Sequence, residues 1–532
     1  MSAGPRFSGK ILAAEKPLPL WVLYPLFFVL IYVSHWKLLR LPYFWDEAGY
    51  YIPAALDFFR HGQLVPTSTV TNAHPPLPSV LLAGWWHLSG FATIGTRTLV
   101  CMVAAAALLG VFRLARGMAG TAVAAAVTGL TAMYPVWFAQ STLAHADIFA
   151  AAFTLWGLAF YFERRWVGVA GMFALAALSK ETAIVTAMVL GLWELVLAAT
   201  EKDWSRWRAV TALFFAVLPL ALWYGYHWRH TGFVFGNPEF LRYNATANLS
   251  VGRVLTSLWH RVTHLTLHMN LYVATVATVA VAVMPKLTGR AGLKRAQVLA
   301  IAVVIAGNAL AFSVLGGALL TRYLLPMYPL VLLVCVTLWR TRTTRWGWLA
   351  GLTAAGFLLG LWVNPPYGFA PEDNLTYVDM VQLHQQAIAV IAAKYPEATV
   401  LTAWPGVAEL RYPDLGYTRR AVTATAIDNF SFEEIQKAAA MPGEFDTAFV
   451  FSTKWTPPAG RLDLGAGNVG TNTKFYDFHR DLGPREIAGL LHGQVIWSRE
   501  QRGEWAAVLR FPRAVEARAN ALRVREWLVR SL

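Results

Sequence analysis

The sequence has 532 residues, of which 45 are Lys or Arg and 30 are Asp or Glu, so its formal net charge is +15. Charged residues make up only 14% of the chain, hydrophobic residues make up 56%, and the mean hydropathy is +0.44. Soluble domains carry about 25% charged residues, so a set of water-soluble domains is excluded, and the hydrophobicity excludes a disordered chain. We therefore expect a polytopic membrane protein, whose basic excess reports topology and not nucleic-acid binding.

Apolar stretches recur along the first 364 residues. A helix needs about 20 mostly apolar residues to cross the hydrocarbon core of a bilayer. By this measure the sequence predicts about eleven transmembrane helices, at 19–39, 94–114, 119–136, 142–162, 166–179, 182–199, 208–228, 267–284, 296–315, 322–339 and 345–363. The segment 77–90 is apolar but short and rich in Trp and His, which predicts a helix lying at the membrane interface.

The Lys and Arg residues between these stretches predict the orientation of the chain. They are concentrated in alternate turns, while the opposite turns are nearly free of them. Because basic loops stay on the cytoplasmic side of a membrane, we expect a cytoplasmic N-terminus. Residues 40–93, 137–142 and 229–266, and everything after 364, then lie on the outer side.

The composition changes at about residue 365. Apolar residues at helical spacing predict a helix over 374–394, which ends before Tyr395-Pro396. Strands are predicted at 399–404, 447–452, 494–498 and 505–511. The sequence thus predicts two domains. A transmembrane domain covers 1–364, with interfacial helices in its outer loop 40–93, and an extracytoplasmic α/β domain covers 365–532.

Charged residues at the outer ends of the predicted spans are the candidates for chemistry, since charge within a bilayer is costly and usually functional. Taken singly, an Asp-Glu pair usually caps a helix, and a Lys or Arg usually reaches the headgroups. The predicted topology, however, brings five such segments to one membrane face: YFWDEAGYY at 43–51, HPPL at 74–77, LAHADIF at 143–149, LSKET at 178–182 and TRYLLP at 321–326. Carboxylates beside fixed cations suit group transfer from a lipid-linked phosphate, because cations neutralise the leaving phosphate and a carboxylate accepts the nucleophile's proton.

These segments resemble motifs of the GT-C glycosyltransferase superfamily, near the protein O-mannosyltransferases and the lipid A aminoarabinose transferases. The resemblance covers about the first 330 residues. Asp46-Glu47 resembles the signature of the first extracytoplasmic loop, and His74-Pro75-Pro76-Leu77 matches the HPPL of the mannosyltransferases. The other matching positions are Arg97 near the start of the second span, Asp147 in the second outer loop, Lys180 in an L-x-K turn and Arg322-Tyr323 in an R-Y-x-x-P element.

The resemblance implies an integral membrane enzyme that transfers a hexosyl or pentosyl group, with inversion, from a polyprenyl-phosphate-linked donor. The acceptor would be a lipid, a glycan or a protein. It implies that Asp46 is the catalytic base, and that Glu47 and Asp147 orient the site or bind the acceptor. It also implies a bacterial inner or plasma membrane, with the active site on the extracytoplasmic side.

For the donor phosphate, the resemblance implies contacts from Lys180, Arg322 and His74, with Arg97 and Tyr323 also in the donor site. His74 stands where the aminoarabinose enzymes have Lys. A neutral imidazole compensates phosphate charge less than an ammonium does, which argues against a strict aminoarabinose-type donor site.

Three histidines, His260, His264 and His268, repeat every four residues and would share one face of a helix. Two His at this spacing can bind Zn²⁺, so a divalent cation stays open as an alternative. The same spacing also fits an interfacial helix below the lipid headgroups. We assign no metal ligand from the sequence.

A transporter or flippase of a lipid-linked or small anionic substrate is the main rival function. It predicts charges near the membrane midplane, broken helices and an inverted repeat. The charges instead lie at the outer boundary and no internal repeat is visible in the sequence, which favours the enzyme. A receptor, the third possibility, leaves the grouping of Asp46, His74, Lys180 and Arg322 unexplained.

Overall fold

The computed structural model of the protein describes residues 19–512 apart from 70, 72, 237, 239–248, 316–318, 442, 459 and 477. It is mostly helical, with a small sheet near the C-terminus, as predicted. The helices that precede the sheet are α1 (Leu20–Ser34), α2 (Ile52–His61), α3 (Leu77–Ser89), α4 (Thr93–Ala119), α5 (Thr121–Met133), α6 (Pro135–Gln140), α7 (Ala146–Phe162), α8 (Trp166–Ser179), α9 (Ile184–Glu201), α10 (Trp207–Phe214), α11 (Val217–Thr231), α12 (Val251–Thr266), α13 (Tyr272–Ala282), α14 (Arg295–Val314), α15 (Met327–Arg342) and α16 (Trp346–Gly360).

Every predicted span overlaps a helix, but the number of transmembrane helices is not confirmed. Several apolar helices are short: α7 has 17 residues, and at about 1.5 Å per residue it covers about 25 Å of a hydrocarbon core that is about 30 Å thick. In the described part of the chain, the helical segments long and apolar enough to cross a membrane are Thr93–Ala119, Glu181–Glu201, Trp204–Thr231 and Arg295–Val314.

The predicted span 267–284 differs most from the structure. Helices α12 and α13 meet at an angle of 101°, and the bend falls at Met269 and Asn270, whose φ angles are 46° and 65°. Helix α12 also occupies part of the stretch 229–266, for which an outer loop was predicted. It is amphipathic, with Arg261 buried on one face and Trp259 exposed on another.

Close packing among α4, α7 and α8 fixes the centre of the helical part. Glycines allow aromatic rings to lie directly against the helix backbones. A Cβ on Gly157 of α7 would lie 3.0 Å from the Phe173 ring of α8, and one on Gly110 of α4 would lie 3.1 Å from Trp156. Small residues permit such close approach of helices in membranes. This packing sets the positions of the start of α7 and the end of α8, where Asp147 and Lys180 lie.

The sheet has the order β2-β1-β3-β5-β4. Strand β1 pairs in parallel with β2 and β3, while β5 is antiparallel to both β3 and β4. The four predicted strands are confirmed, and the predicted helix 374–394 is α17. Strand β2 was not predicted, because its sequence, TATA, lacks large apolar residues. The elements of this region are α17 (Thr376–Lys394), β1 (Thr399–Thr402), α18 (Gly406–Arg411), β2 (Thr423–Ala426), α19 (Phe432–Ala439), β3 (Thr447–Phe451), α20 (Val469–Tyr476), α21 (Pro484–Leu490), β4 (Gln494–Gln501) and β5 (Glu504–Arg510).

The sheet region packs on the loop that follows α1. The Tyr43 backbone N–H donates to the Leu415 carbonyl at 3.2 Å, and the Tyr417 hydroxyl donates to the Tyr43 carbonyl at 3.1 Å. The rings of Tyr50 and Trp404 lie 4.7 Å apart. These contacts join the sheet region to the loop that carries Asp46.

Candidate active site

Asp46 and Glu47 begin a turn of π-helix, Glu47–Tyr51, just after α1. Such turns are rare in proteins, and those that occur are often found at functional sites. The preceding residue, Trp45, has a φ of 46°, which is uncommon for a bulky side chain. This backbone sends the two neighbouring carboxylates in different directions: that of Asp46 toward Arg322, and that of Glu47 toward Arg97.

Arg322 lies at the centre of the candidate site. It belongs to a short 3-10 helix, Thr321–Leu324, and only 3% of its side chain is exposed. Its guanidinium donates to the Asp46 carboxylate. Its Nη1 lies 3.2 Å from Glu372 Oε1, and its Nε lies 3.5 Å from Asp147 Oδ2. One buried cation thus contacts three carboxylates from three distant segments.

Lys180 supplies the second cation of this cluster. It follows α8 directly, and its Nζ donates to Asp147 Oδ1 at 2.7 Å. The same Nζ lies 4.0 Å from the centroid of the Tyr323 ring. Asp147 therefore bridges Lys180 and Arg322, so that a single carboxylate fixes the spacing between the two cations.

His74 lies beside this cluster, across Tyr51. Its Nδ1 donates to Glu181 Oε2 at 2.8 Å. The Tyr51 ring lies 5.9 Å from the His74 ring and 5.9 Å from the His145 ring. His145 in turn lies 3.0 Å from Arg322, measured between Nδ1 and Nη1. Tyr51 and His145 thus link His74 to Arg322.

Glu47 and Arg97 form a separate pair, and neither lines the cavities described below. Arg97 has no exposed surface. It donates to Glu47, to the Thr142 carbonyl at 2.6 Å and to the Pro42 carbonyl at 2.9 Å. Glu47 also accepts from the Ala144 backbone N–H at 2.6 Å. With these bonds the pair ties the loop after α1 to the loop before α7.

Glu372 is the site residue that sequence reasoning missed. It lies in a 3-10 helix, Pro371–Asp373, between the last apolar helix and α17. Burial raises the pKa of Glu372 to about 7, although Arg322 acts against this rise. Two adjacent acidic residues soon after the last predicted span were a visible signal, but no spacing rule connects residue 372 with residue 322. His145 and Glu181 were visible only as members of motifs around Asp147 and Lys180.

Two cavities border the cluster. The first, which we call the Arg322 cavity, is lined at one end by Asp147, Lys180, Arg322 and Tyr323. The second, the His74 cavity, has a lining that includes Tyr50, Tyr51, His74 and Trp223.

One of the three regularly spaced histidines, His268, pairs with a carboxylate of the 3-10 helix Pro371–Asp373. His268 Nε2 donates to Asp373 Oδ2 at 2.9 Å, and the Thr321 hydroxyl donates to the other oxygen of Asp373. The rings of His264 and His268 lie 5.4 Å apart. Within the described residues, no group of three or more His, Cys, Asp or Glu is arranged to hold a metal ion.

The sequence matches no known family profile and no curated protein. Its fold matches ArnT, a lipid A aminoarabinose transferase, from Cupriavidus metallidurans. The ArnT structure bound to undecaprenyl phosphate superposes with a TM-score of 0.51 at 16% identity, over 92% of this chain and 98% of that chain. The apo structure gives a TM-score of 0.51 at 13% identity, over 92% and 97%. An oligosaccharyltransferase from Archaeoglobus fulgidus gives 0.46 at 11% identity, over 81% and 67%. The chain thus shares the fold of ArnT.

Proposed function

We propose that this protein, which has a GT-C glycosyltransferase fold, transfers a sugar from a polyprenyl-phosphate-linked donor to an acceptor hydroxyl on the extracytoplasmic side of the membrane. The observation that carries the proposal is the cluster of Asp46, Asp147, Lys180 and Arg322, of which the last three line the Arg322 cavity. The undecaprenyl phosphate bound to ArnT supports this class of donor.

The two cations account for stabilisation of the leaving group. When the bond from the anomeric carbon to the phosphate oxygen breaks, negative charge develops on that oxygen. Arg322 presents a planar fork of donors to phosphate oxygens, and Lys180 presents a compact point charge. Because both are buried and already fixed by Asp147, they need little rearrangement when the charge develops.

Asp46 is the carboxylate best placed to act as the base. About 19% of its side chain is exposed, against 2% for Asp147, which is held by two cations. In the proposed step, the acceptor oxygen bonds to the anomeric carbon, the phosphate oxygen leaves with the bonding electrons, and the acceptor's proton passes to Asp46. Attack from the face opposite to the phosphate inverts the anomeric centre.

The remaining predicted residues take supporting roles in this proposal. Lys180 lies over the Tyr323 ring, so Tyr323 limits where the ammonium can go. His74, bound to Glu181, reaches the phosphate from the side of its own cavity. Glu47 and Arg97 act through the backbone, since their buried pair holds the loop of Asp46 in place.

We also propose the topology that the basic turns predict. The transmembrane domain would cover residues 1–364, and residues 365–532 would form an extracytoplasmic domain over the catalytic loop. The contacts of Leu415 and Tyr417 with Tyr43 support this arrangement. The protein would reside in a bacterial inner or plasma membrane.

One observation favours the rival function, a transporter, because the break between α12 and α13 is a feature that transporters use. The positions of the charged residues favour a transferase instead. Asp147 is in the first turn of α7, and Lys180 follows the last residue of α8. Both therefore lie at helix ends, where a membrane surface reaction can use them.

The proposal is tested with purified protein in vesicles that contain a polyprenyl-phosphate sugar labelled in the lipid. We expect polyprenyl phosphate to be released when an acceptor is present, and we expect Arg322→Ala and Lys180→Ala each to abolish release. Thermal unfolding of both variants controls for misfolding. If hexosyl and pentosyl donors give no release while labelled lipid or anion crosses the bilayer, the protein is a transporter.

A further inference from the structure

The Arg322 cavity continues past the charged cluster into the space between α7, α9 and α14. Its inner wall carries Thr154, Thr186 and Asn308, one from each helix. Thr154 lies about two turns beyond Asp147 on α7, which is roughly 10 Å along the helix axis. Three polar side chains therefore face one cavity among helices whose other residues are mostly apolar.

Thr154 has a buried hydroxyl that the protein does not satisfy. Its residue is 1% exposed, and within the described structure its Oγ1 has no hydrogen-bond partner. Some buried helical threonines return their hydroxyl to the carbonyl four residues earlier: Thr131 donates to Val127 at 2.8 Å, and Thr353 donates to Leu349 at 2.9 Å. Thr128 and Thr337 also lack a partner within the described residues, but only Thr154 of these three lines the Arg322 cavity. Since a buried unpaired hydroxyl destabilises a protein, a polar ligand in this cavity would satisfy the Thr154 hydroxyl.

Asn308 is held in one orientation. Its Nδ2 donates to the Val304 carbonyl at 2.8 Å and to Thr186 Oγ1 at 3.1 Å, and Thr186 Oγ1 lies 3.3 Å from Asn308 Oδ1. Both amide hydrogens are thus engaged, while the amide oxygen keeps a lone pair. The wall presents a fixed acceptor beside the Thr154 hydroxyl, which can donate or accept.

The charged end of the same cavity also has polar atoms that lack a hydrogen bond. Arg322 Nε and Asp147 Oδ2 form an ion pair at 3.5 Å, but neither atom takes part in a hydrogen bond within the described residues. A suitable ligand therefore carries an anion at one end and hydroxyl or amino groups at the other. An isoprenoid chain in this cavity would leave the polar atoms of the wall unpaired, which is unfavourable.

We propose that Thr154, Thr186 and Asn308 form the subsite that binds the sugar ring of the donor and determines which sugar is transferred. The ligand class is a monosaccharide with hydroxyl or amino groups, joined to the phosphate that Arg322 and Lys180 bind. This inference rests on the proposed function, and it adds a subsite that the charged cluster alone does not contain.

The test compares the binding of the whole donor with the binding of polyprenyl phosphate, which lacks the sugar. Thr154→Val replaces the hydroxyl by a methyl group of similar size, and Asn308→Leu removes the amide. We expect each to raise the KM for the polyprenyl-phosphate sugar about 3- to 10-fold, the loss of one neutral hydrogen bond. The inhibition constant of sugar-free polyprenyl phosphate should stay at the wild-type value. Thr353→Val is the matched control, because this buried threonine already has its partner and lies outside the cavity.

Several outcomes separate the possibilities. An equal rise in the KM of the donor and the inhibition constant of polyprenyl phosphate would mean that the wall binds the lipid, and an unchanged KM would mean that it binds nothing in the donor. Either result overturns the subsite. If Thr154→Val unfolds at a lower temperature than Thr353→Val, the same comparison is made with Thr186→Val. Absence of release by the wild-type protein instead contradicts the proposed function itself.

Discussion

Charge balance around Arg322 decides what the site can bind. Asp46, Asp147 and Glu372 surround it, and Lys180 is the second cation of the cluster. Three carboxylates against two cations leave no excess positive charge for a donor phosphate. A proton on one carboxylate restores the balance, and Glu372, whose pKa burial raises to about 7, is the group that takes it most readily.

This balance predicts a pH dependence of donor binding. Below about pH 7 Glu372 holds a proton, and above it the new carboxylate competes with the donor phosphate for Arg322. We expect the KM for the donor to rise above that pH, by about tenfold per unit at most. The charged groups that face Glu372 are Arg322, Asp46 and Asp373. Glu372→Gln should lower the KM at alkaline pH and remove the rise. A rise that persists in this variant contradicts the assignment.

The pair of Glu47 and Arg97 predicts a large loss of stability. Arg97→Ala leaves Glu47 buried without its cation, which typically costs about 3–5 kcal/mol. Thermal unfolding in detergent measures the effect. Arg60→Ala is the control, because Arg60 and Asp414 form an exposed pair that is worth about 1 kcal/mol or less. Equal unfolding temperatures for the two variants would show that the buried pair does not hold the loop.

At this scale the sequence could predict much of the cluster. Asp46, Asp147, Lys180 and Arg322 are charged residues at the ends of apolar segments. Because burying a charge in a bilayer is energetically unfavourable, charged residues at such positions are candidates for a functional site. Glu372 could not be found in this way, because it lies in a polar segment where an acidic residue is ordinary. Its contact with Arg322 is visible only in the structure.

The elements follow the sequence closely where the pattern is strong. Helices form at all predicted spans, and the four apolar strand segments form strands. The amphipathic α12 was expected only as an alternative, an interfacial helix within the predicted outer stretch 229–266, since its mixture of Arg, His and apolar residues gives no span pattern. The bend after it falls at Met269 and Asn270, and neither residue is a glycine that would mark a positive φ.

The contact between the π-helical turn and the sheet region predicts a coupled pair of substitutions. A Cβ on Gly49 would lie 1.5 Å from Trp404 Cη2, so Gly49→Ala must displace the Trp404 ring from Tyr50. We expect slower release of polyprenyl phosphate, because Tyr50 and Tyr51 line the His74 cavity. Trp404→Ala makes room for the methyl group.

The double variant tests this contact. Gly49→Ala combined with Trp404→Ala should be no slower than Trp404→Ala alone, since residues in contact are not additive. Release rates of the two single variants and the double variant give the comparison. Losses that simply add would mean that Gly49 and Trp404 act independently.

For the whole molecule, the low charged fraction and the basic turns predict a membrane protein with its sheet region outside. Native cysteines do not obstruct a direct test, because Cys101 and Cys335 are both buried. Ser498, on β4, and Ser205, in a predicted cytoplasmic turn, are exposed. We expect a membrane-impermeant maleimide to label Ser498→Cys in intact cells and to label Ser205→Cys only after lysis. The reverse pattern would invert the proposed topology and place the catalytic loop in the cytoplasm.

The most direct test of the proposed transferase is Asp46→Asn, assayed in the same vesicles for donor binding and for release of polyprenyl phosphate. The variant keeps the shape of the side chain but cannot accept the acceptor's proton. We predict that donor binding persists, while release falls by about 10²–10⁴-fold, the usual contribution of a general base. Asp414→Asn, at an exposed carboxylate, should retain full release. Release by Asp46→Asn near the wild-type rate would contradict the proposal, because the reaction would then proceed without the base assigned to it.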